Sequence, residues 1–301
     1  MVSIEVCKLL NDADGNSVSE QLKKLFGKLN RNQVPDTKGI THSLGIADVH
    51  RQEDASEYFQ KILSKVNPDV TKIYEGTIKE TITCKKEHPL KNDSSPFTLI
   101  PLSINNPSSG IISVEGAWKD HFKSTEATLY CSSCESETLA QFESKINVFP
   151  QILALHLDRL DIFSGQKNTC KVKIPSTLTD KGQNYELYAI ANHHGTPRGG
   201  HYKAFIKPNG DESWWIFDDS HVRKMEELQR ENLLNSPAAD LLFYKKISSD
   251  DLKAENTLEK GNDRYPSQDH RKRPSKSKPE KEEEEEEEKE TTKKQKMSFP
   301  M

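Results

Sequence analysis

From Lys145 to Tyr244 the chain reads as one β-forming run after another, at residues 145–148, 152–157, 171–174, 185–192, 201–207, 214–218 and 241–244. Ahead of them lie helical patterns. Val18, Leu22, Leu25, Phe26 and Leu29 recur at the spacing of one helix face, with polar residues between them. Asp54 is placed to cap a second helix, whose apolar members Ala55, Tyr58, Phe59, Ile62, Leu63 and Val66 keep that spacing until Pro68 closes it. A third helix is predicted over 114–122 behind a Ser113 cap, and short β runs at 77–83 and 97–102 separate it from the second. Helices first and antiparallel strands afterwards give an α+β fold.

Apolar residues make up 33% of the 301, and runs such as 152–157 and 241–244 are dense enough to seed a buried sheet. One domain is expected over 1–247. Residues 248–301 shift to Lys, Glu, Ser and Pro, with an unbroken acidic run at 282–288. Such a segment cannot bury enough surface to order itself, so a disordered tail is expected. Its basic cluster from His270 to Arg273 fits a nuclear-import signal, although solvated charge is the ordinary meaning of such a run. The net charge of -4, with mixed signs, implies neither a nucleic-acid partner nor a membrane patch. No run approaches the roughly 20 apolar residues of a spanning helix, and no leader pattern opens the chain. The cysteines Cys7, Cys84, Cys131, Cys134 and Cys170 are an odd set with one close pair, a poor disulfide framework. A reducing compartment, cytoplasmic and/or nuclear, is expected.

The chemistry concentrates in residues 199–220, GGHYKAFIKPNGDESWWIFDDS. If Asn209-Gly210 forms a two-residue turn, Lys207 pairs with Glu212 and His201 falls opposite Asp218, on the same face. An imidazole beside a carboxylate is what a catalytic base needs to hold its tautomer and to stabilise the imidazolium formed during reaction. A one-residue slip would substitute Asp219, which is the runner-up. Gly199 and Gly200 leave a backbone without side-chain bulk where an extended substrate chain can pass. An exposed histidine on an ordinary hairpin would look the same.

The pattern Gly-Gly-His-Tyr, then Trp, then Phe-Asp-Asp-Ser resembles the histidine box of ubiquitin-specific proteases. In that family the His is the general base and the first Asp after Phe orients it, which implies His201 and Asp218 here. Residues 52–59, QEDASEYF, are similar to the Gln-Gln-Asp-x-x-Glu-Phe box, with Glu53 and Tyr58 as departures. Residues 153–160, LALHLDRL, resemble the family strand Leu-x-Leu-x-Leu-Lys-Arg-Phe, with Asp158 and Leu160 as departures. The resemblance covers about residues 18–245. It implies a papain-like fold with an antiparallel β palm and fingers, and isopeptide hydrolysis after the C-terminal glycine of ubiquitin. It also implies that Gln52, Asp54, Glu57, Gly199, Gly200 and Tyr202 bind the ubiquitin tail, whose arginines suit acidic groups at a helix start. Asp54 as a plain helix cap explains that residue equally well.

A papain-like protease also needs a thiolate beside the histidine. The family's Asn-x-x-Cys-type box is not found, and Cys7, in SIEVCKLLND, reads as a core thiol. The chain is therefore expected either to begin one helix too late or to be a ubiquitin-binding pseudoenzyme, with hydrolysis impaired in both cases. Cys131-Ser-Ser-Cys134 is half of a tetrahedral zinc site, and the family often supplies the other half upstream. Here that place holds Cys84 and His88, with Glu87 where a cysteine is expected. Catalysis calls for no cofactor, and a ribbon held by its strands is favoured over structural zinc. His193 and His194 read as loop residues at a strand end.

Overall fold

Ser17 opens the first helix of the computed structural model, which describes residues 9–10, 17–31, 33–104, 112–161, 164–209 and 211–247. Its hydroxyl accepts the Glu20 N–H at 3.2 Å, and α1 runs Val18–Asn30. α2 (Lys38–Ser43), α3 (Ala55–Leu63) and α4 (Pro68–Tyr74) follow. These helices enclose their own core, where Val18, Leu44, Leu63, Val66 and Val70 are buried together. Pro68 does not simply end the preceding helix, as the sequence suggested. It is the first residue of α4, where its missing N–H costs nothing, and Asn67 caps that helix by accepting from Asp69 N.

Two sheets carry most of the rest. β1 (Gly76–Cys84), β2 (Pro89–Phe97), β5 (Thr125–Cys131) and β6 (Ser136–Val148) form an antiparallel sheet in the order β2-β1-β6-β5. Its strands are largely solvent-exposed. The second sheet contains β3 (Ile100–Ser103), β7 (Ile152–Asp158), β10 (Gln183–Thr196), β11 (Gly199–Ile206), β12 (Trp215–Asp218), β13 (His221–Lys224) and β15 (Ala239–Lys246). They run in the order β13-β12-β11-β10-β15-β7-β3, with β9 (Thr177–Asp180) on β10. All of these pairings are antiparallel except β3 with β7. A small sheet joins β4 (Ile112–Ser113), β8 (Val172–Lys173) and β14 (Asn235–Ser236). α5 (Val114–His121), capped by Ser113 as expected, and α6 (Glu227–Leu233) complete the described elements.

The second sheet separates two environments because successive side chains on a strand alternate faces. Ile190, Phe205, Ile216, Leu155 and Leu242 enter the main core. Ala154, Leu241, Ala191 and Phe243 face the helices, and Phe59 of α3 meets both Phe243 and Tyr74 edge-to-face at 5.3 Å. The helical module is thereby held against the sheet beside β11. The resulting mixture of helices and mainly antiparallel sheet is α+β.

The histidine hairpin differs from expectation in register. Ala204 pairs with Phe217 and Ile206 with Trp215, and continuing that ladder puts Lys203, not His201, across from Asp218. The connection is longer than two residues. Asp211 ties it down by accepting from Ser213 N at 2.8 Å and Trp215 Nε1 at 3.0 Å. Lys207 still reaches Glu212 at 2.8 Å, through side chains alone. A shift of two residues preserves the face, so Asp218 stays on the side of His201.

Candidate active site and peptide channel

His201 is the third residue of β11, next to the end of β12, and its Nε2 lies 2.6 Å from Asp218 Oδ1. The second oxygen of the same carboxylate takes Lys203 Nζ at 2.7 Å. Both ends of the acid are therefore fixed, and the imidazole is held by Nε2, leaving Nδ1 outside that hydrogen bond. Asp219 occupies the β12–β13 turn at φ 50, exposed to solvent. Its carboxylate also comes within 4.8 Å of the His201 and Asp218 ligand atoms, yet the hydrogen bond goes to Asp218.

Lys203 and then His201 hold the Asp218 carboxyl well below the usual range, at about 2. A depressed folded-state value contributes stability that is complete above about pH 4 and is lost as pH falls through about 2. Lys203→Met is expected to raise that ionisation midpoint and to let the carboxylate rotate. Carboxyl ¹³C titration of Asp218 checks this; an unmoved midpoint contradicts it.

On the opposite face of β11 a channel of about 370 Å³ is lined by residues that include Gln52, Asp54, Glu57, His193, Gly199 and Tyr202. Asp54 caps α3, accepting from Ser56 N at 2.7 Å and Glu57 N at 3.1 Å. Burial alone would raise its pKa, but those hydrogen bonds outweigh burial and keep it low. Asp54 thus acts as cap and as channel wall at once. Gln52 Oε1 accepts the Gly200 N–H at 3.2 Å, which ties the helix approach to the glycine pair. Tyr202 accepts from Ala55 N at 3.3 Å, donates to Asp240 Oδ2 at 3.2 Å, and stacks on His193 at 4.5 Å.

The two glycines serve different ends. A Cβ on Gly200 would lie 2.3 Å from His193 Nε2 and 2.4 Å from the His194 carbonyl, so packing demands glycine there. A Cβ on Gly199 would meet nothing closer than Gln52 Cγ at 3.5 Å, an ordinary contact. Gly199 is spare room, facing the channel.

Several residues went unread in the sequence. Lys203 stands two positions from His201 on the same face, so strand alternation alone was enough to find it. Arg159, Lys167 and Asp240 line the channel; Arg159 stands at the Arg position of the 153–160 strand pattern, and no local pattern marks the other two. Lys167 reaches His193 Nδ1 and the His193 carbonyl, both at 2.8 Å. His193 and His194 belong to β10, not to a loop, because the strand continues to Thr196. Among the described residues no cysteine sulfur lies within hydrogen-bonding distance of His201; Cys7 and residues 248–301 lie outside them.

At the far end of the exposed sheet, Cys84 and His88 from the β1–β2 turn meet Cys131 and Cys134 from the β5–β6 turn. Glu87 takes φ 62, which turns the chain so that His88 stands where a fourth ligand is needed. The Cys84 and Cys134 sulfurs are 3.8 Å apart, and His88 Nδ1 lies 3.5, 3.7 and 3.3 Å from Cys84, Cys131 and Cys134. A tetrahedral ion with bonds of ~2.3 Å to sulfur and ~2.0 Å to nitrogen sets edges of about 3.5–3.8 Å. The ligand atoms fit a zinc-sized ion. Burial and the neighbouring thiols push Cys134 up to about 11, so a cation is what would let three thiolates coexist.

An imidazole held by a carboxylate near the start of β11, with a channel on the opposite face of that strand, is the geometry the described residues present. Residues 3–244 match the family model described as ubiquitin carboxyl-terminal hydrolase, and the chain belongs to that family, the ubiquitin-specific proteases. Ubiquitin carboxyl-terminal hydrolase 9 of Arabidopsis thaliana is 33% identical over 133 residues, which are 40% of this chain and 14% of that protein. Ubiquitin carboxyl-terminal hydrolase 2 of Gallus gallus is 26% identical over 211 residues, 65% of this chain and 58% of the relative. The solved SAGA Ubp8/Sgf11/Sus1/Sgf73 DUB module bound to ubiquitin aldehyde superposes with a TM-score of 0.65 at 22% identity. That match covers 79% of this chain and 61% of the solved one. The chain thus spans a part of each relative's length. The structural likeness establishes the papain-like α+β fold of ubiquitin-specific proteases. No helix among the described residues is long and apolar enough to cross a membrane.

Proposed function

We propose that this chain recognises ubiquitin through its flexible C-terminal tail, and that His201 and Asp218 are the base half of a thiol-dependent isopeptidase site. The observation that carries the reading is the placement of a paired imidazole where the glycine-lined strand divides the channel from the opposite face. In this reading Asp54 and Glu57 meet the tail arginines, Gly199 leaves room for the backbone while Gly200 anchors Gln52 beside it, and Tyr202 closes one wall. His201 Nδ1 would take the proton of an attacking thiol while Asp218 stabilises the imidazolium. The same proton would then go to the departing lysine amine, leaving a thioester for water to cleave.

No described cysteine stands at that position, so the chain alone is expected to bind ubiquitin with turnover near background. Ubiquitin-aminomethylcoumarin tests this. Robust hydrolysis that survives Cys7→Ala and disappears in His201→Ala would contradict it, because another nucleophile would then be at work. The glycine pair supplies a second test. Gly199→Val is expected to keep the parent melting temperature and weaken ubiquitin binding at least about tenfold, by filling channel space that costs the fold nothing. Weakened folding with unchanged binding would contradict the assignment.

For the second cluster, Cys84, His88, Cys131 and Cys134 are proposed to hold structural zinc, which would cross-link the two turns and take no part in catalysis.

A further inference from the structure

A second cavity, of about 390 Å³, opens on the other face of the same strands. Its floor is apolar, formed by Phe205, Ile216, Met225 and Leu233, which are otherwise buried. Its wall includes Asp218 and Lys203, so it adjoins the carboxylate that holds His201. Asn192 also lines it. That side chain is only 6% exposed, and its Oδ1 finds no hydrogen-bond partner among the described residues. A buried acceptor without a partner is costly to the free protein, and a ligand that supplies an N–H would repair the deficit.

Strand alternation fixes how the two cavities relate. Tyr202 and His193 face the tail channel, which the backbone of Gly199 borders at the end of the strand, whereas His201, Lys203, His194 and Asn192 point the other way. Gly199 and Gly200 lie at the end of β11 between these faces, paired with Thr196 and Gly195 of β10. A chain that enters along the channel and crosses at the glycines meets His201, and whatever follows the cleaved bond emerges on the second side. The side-chain amide of Asn192 presents an acceptor and donors together, the complement of a peptide group. Arg223 at the mouth, with Lys203, outnumbers the one acid among the lining residues, Asp218.

We infer that this cavity is the subsite for the polypeptide that carries the modified lysine, taking an apolar side chain on its floor and a peptide N–H on Asn192 Oδ1. The inference rests on the ubiquitin-tail reading, whose channel defines the opposite side. An apolar residue beside the acceptor lysine, with an acidic neighbour, is the favoured sequence.

The full chain labelled at methionine methyl groups tests this without any turnover. Met225 is the reporter, assigned by its loss in Met225→Leu. Ac-Glu-Leu-Lys-amide is expected to shift the Met225 signal saturably, and Ac-Glu-Ser-Lys-amide to bind about tenfold more weakly for want of the apolar side chain. Asn192→Leu is expected to weaken the leucine peptide about fivefold while melting no lower than the parent, because no internal hydrogen bond is lost. An unmoved Met225, equal binding of both peptides, or Asn192→Leu that melts lower and binds normally overturns the subsite. Saturating ubiquitin is expected to leave the peptide response in place, and displacement overturns the assignment. Ubiquitin that fails to bind beside an intact peptide response overturns the tail reading, and the acceptor role with it. A missing peptide response beside normal ubiquitin binding overturns the subsite alone.

Discussion

Cys131→Ser is expected to take the chain from one bound zinc to none and to cost the exposed sheet at least about 3 kcal/mol of local stability. A structural zinc contributes an apparent ~10–16 kcal/mol, so even partial loss outweighs what the surrounding packing supplies. That packing is thin. Near the turns Cys84, Cys131 and Ala140 are buried, while β2 and most of β5 lie in solvent. Without the ion, only weak sulfur hydrogen bonds tie the three thiols and the imidazole together. Metal analysis and hydrogen exchange at residues 84–88 and 131–136 give the answer. Zinc-free native protein whose exchange is unchanged in Cys131→Ser would contradict the assignment.

The second large effect belongs to Arg159, which is 3% exposed and has no carboxylate within ion-pair distance among the described residues. Its Nε donates to the Ala239 carbonyl at 2.6 Å, Nη1 to Asn168 and Cys170 at 3.1 and 3.0 Å, and Nη2 to Ser236 at 3.2 Å. Burial lowers its pKa to about 10, which leaves it charged at neutral pH. One guanidinium thus gathers the end of β7, the 168–170 segment and the turn before β15, the pieces that wall the channel. Arg159→Leu strands those buried carbonyls, and a loss of about 3–5 kcal/mol is expected. Arg159→Lys is expected to recover less than half, because an ammonium cannot reach all of them. Urea unfolding of the three proteins measures it, and a loss under 1 kcal/mol for Arg159→Leu would show that water replaces the side chain.

The legible parts of this chain are those whose signals are local. Ser113 and Asp54 cap the helices they were assigned, and α1 follows its apolar spacing to within a residue of the expected end. β2, β5 and most of β6 escaped notice because a sheet with solvent on both sides has no reason to alternate apolar with polar residues. The proximity of His201 and Asp218 was readable although the register was two residues off, since parity and not exact pairing decides the face. In the sequence His88 is no more than a possible fourth ligand, because spacing favours a cysteine at Glu87; the positive φ of Glu87 brings the imidazole to the thiols. Arg159 sits in a recognisable strand pattern, but its convergence with Lys167 and Asp240 from distant segments leaves no trace in one sequence.

Recognition of a flexible tail is the central claim, and calorimetric titration of the full chain with intact and with tail-truncated ubiquitin tests it most directly. Saturable binding of intact ubiquitin, at least about tenfold tighter than the truncated form as several tail hydrogen bonds are lost, is the predicted result. No detectable binding, or equal affinity for both forms, would contradict it.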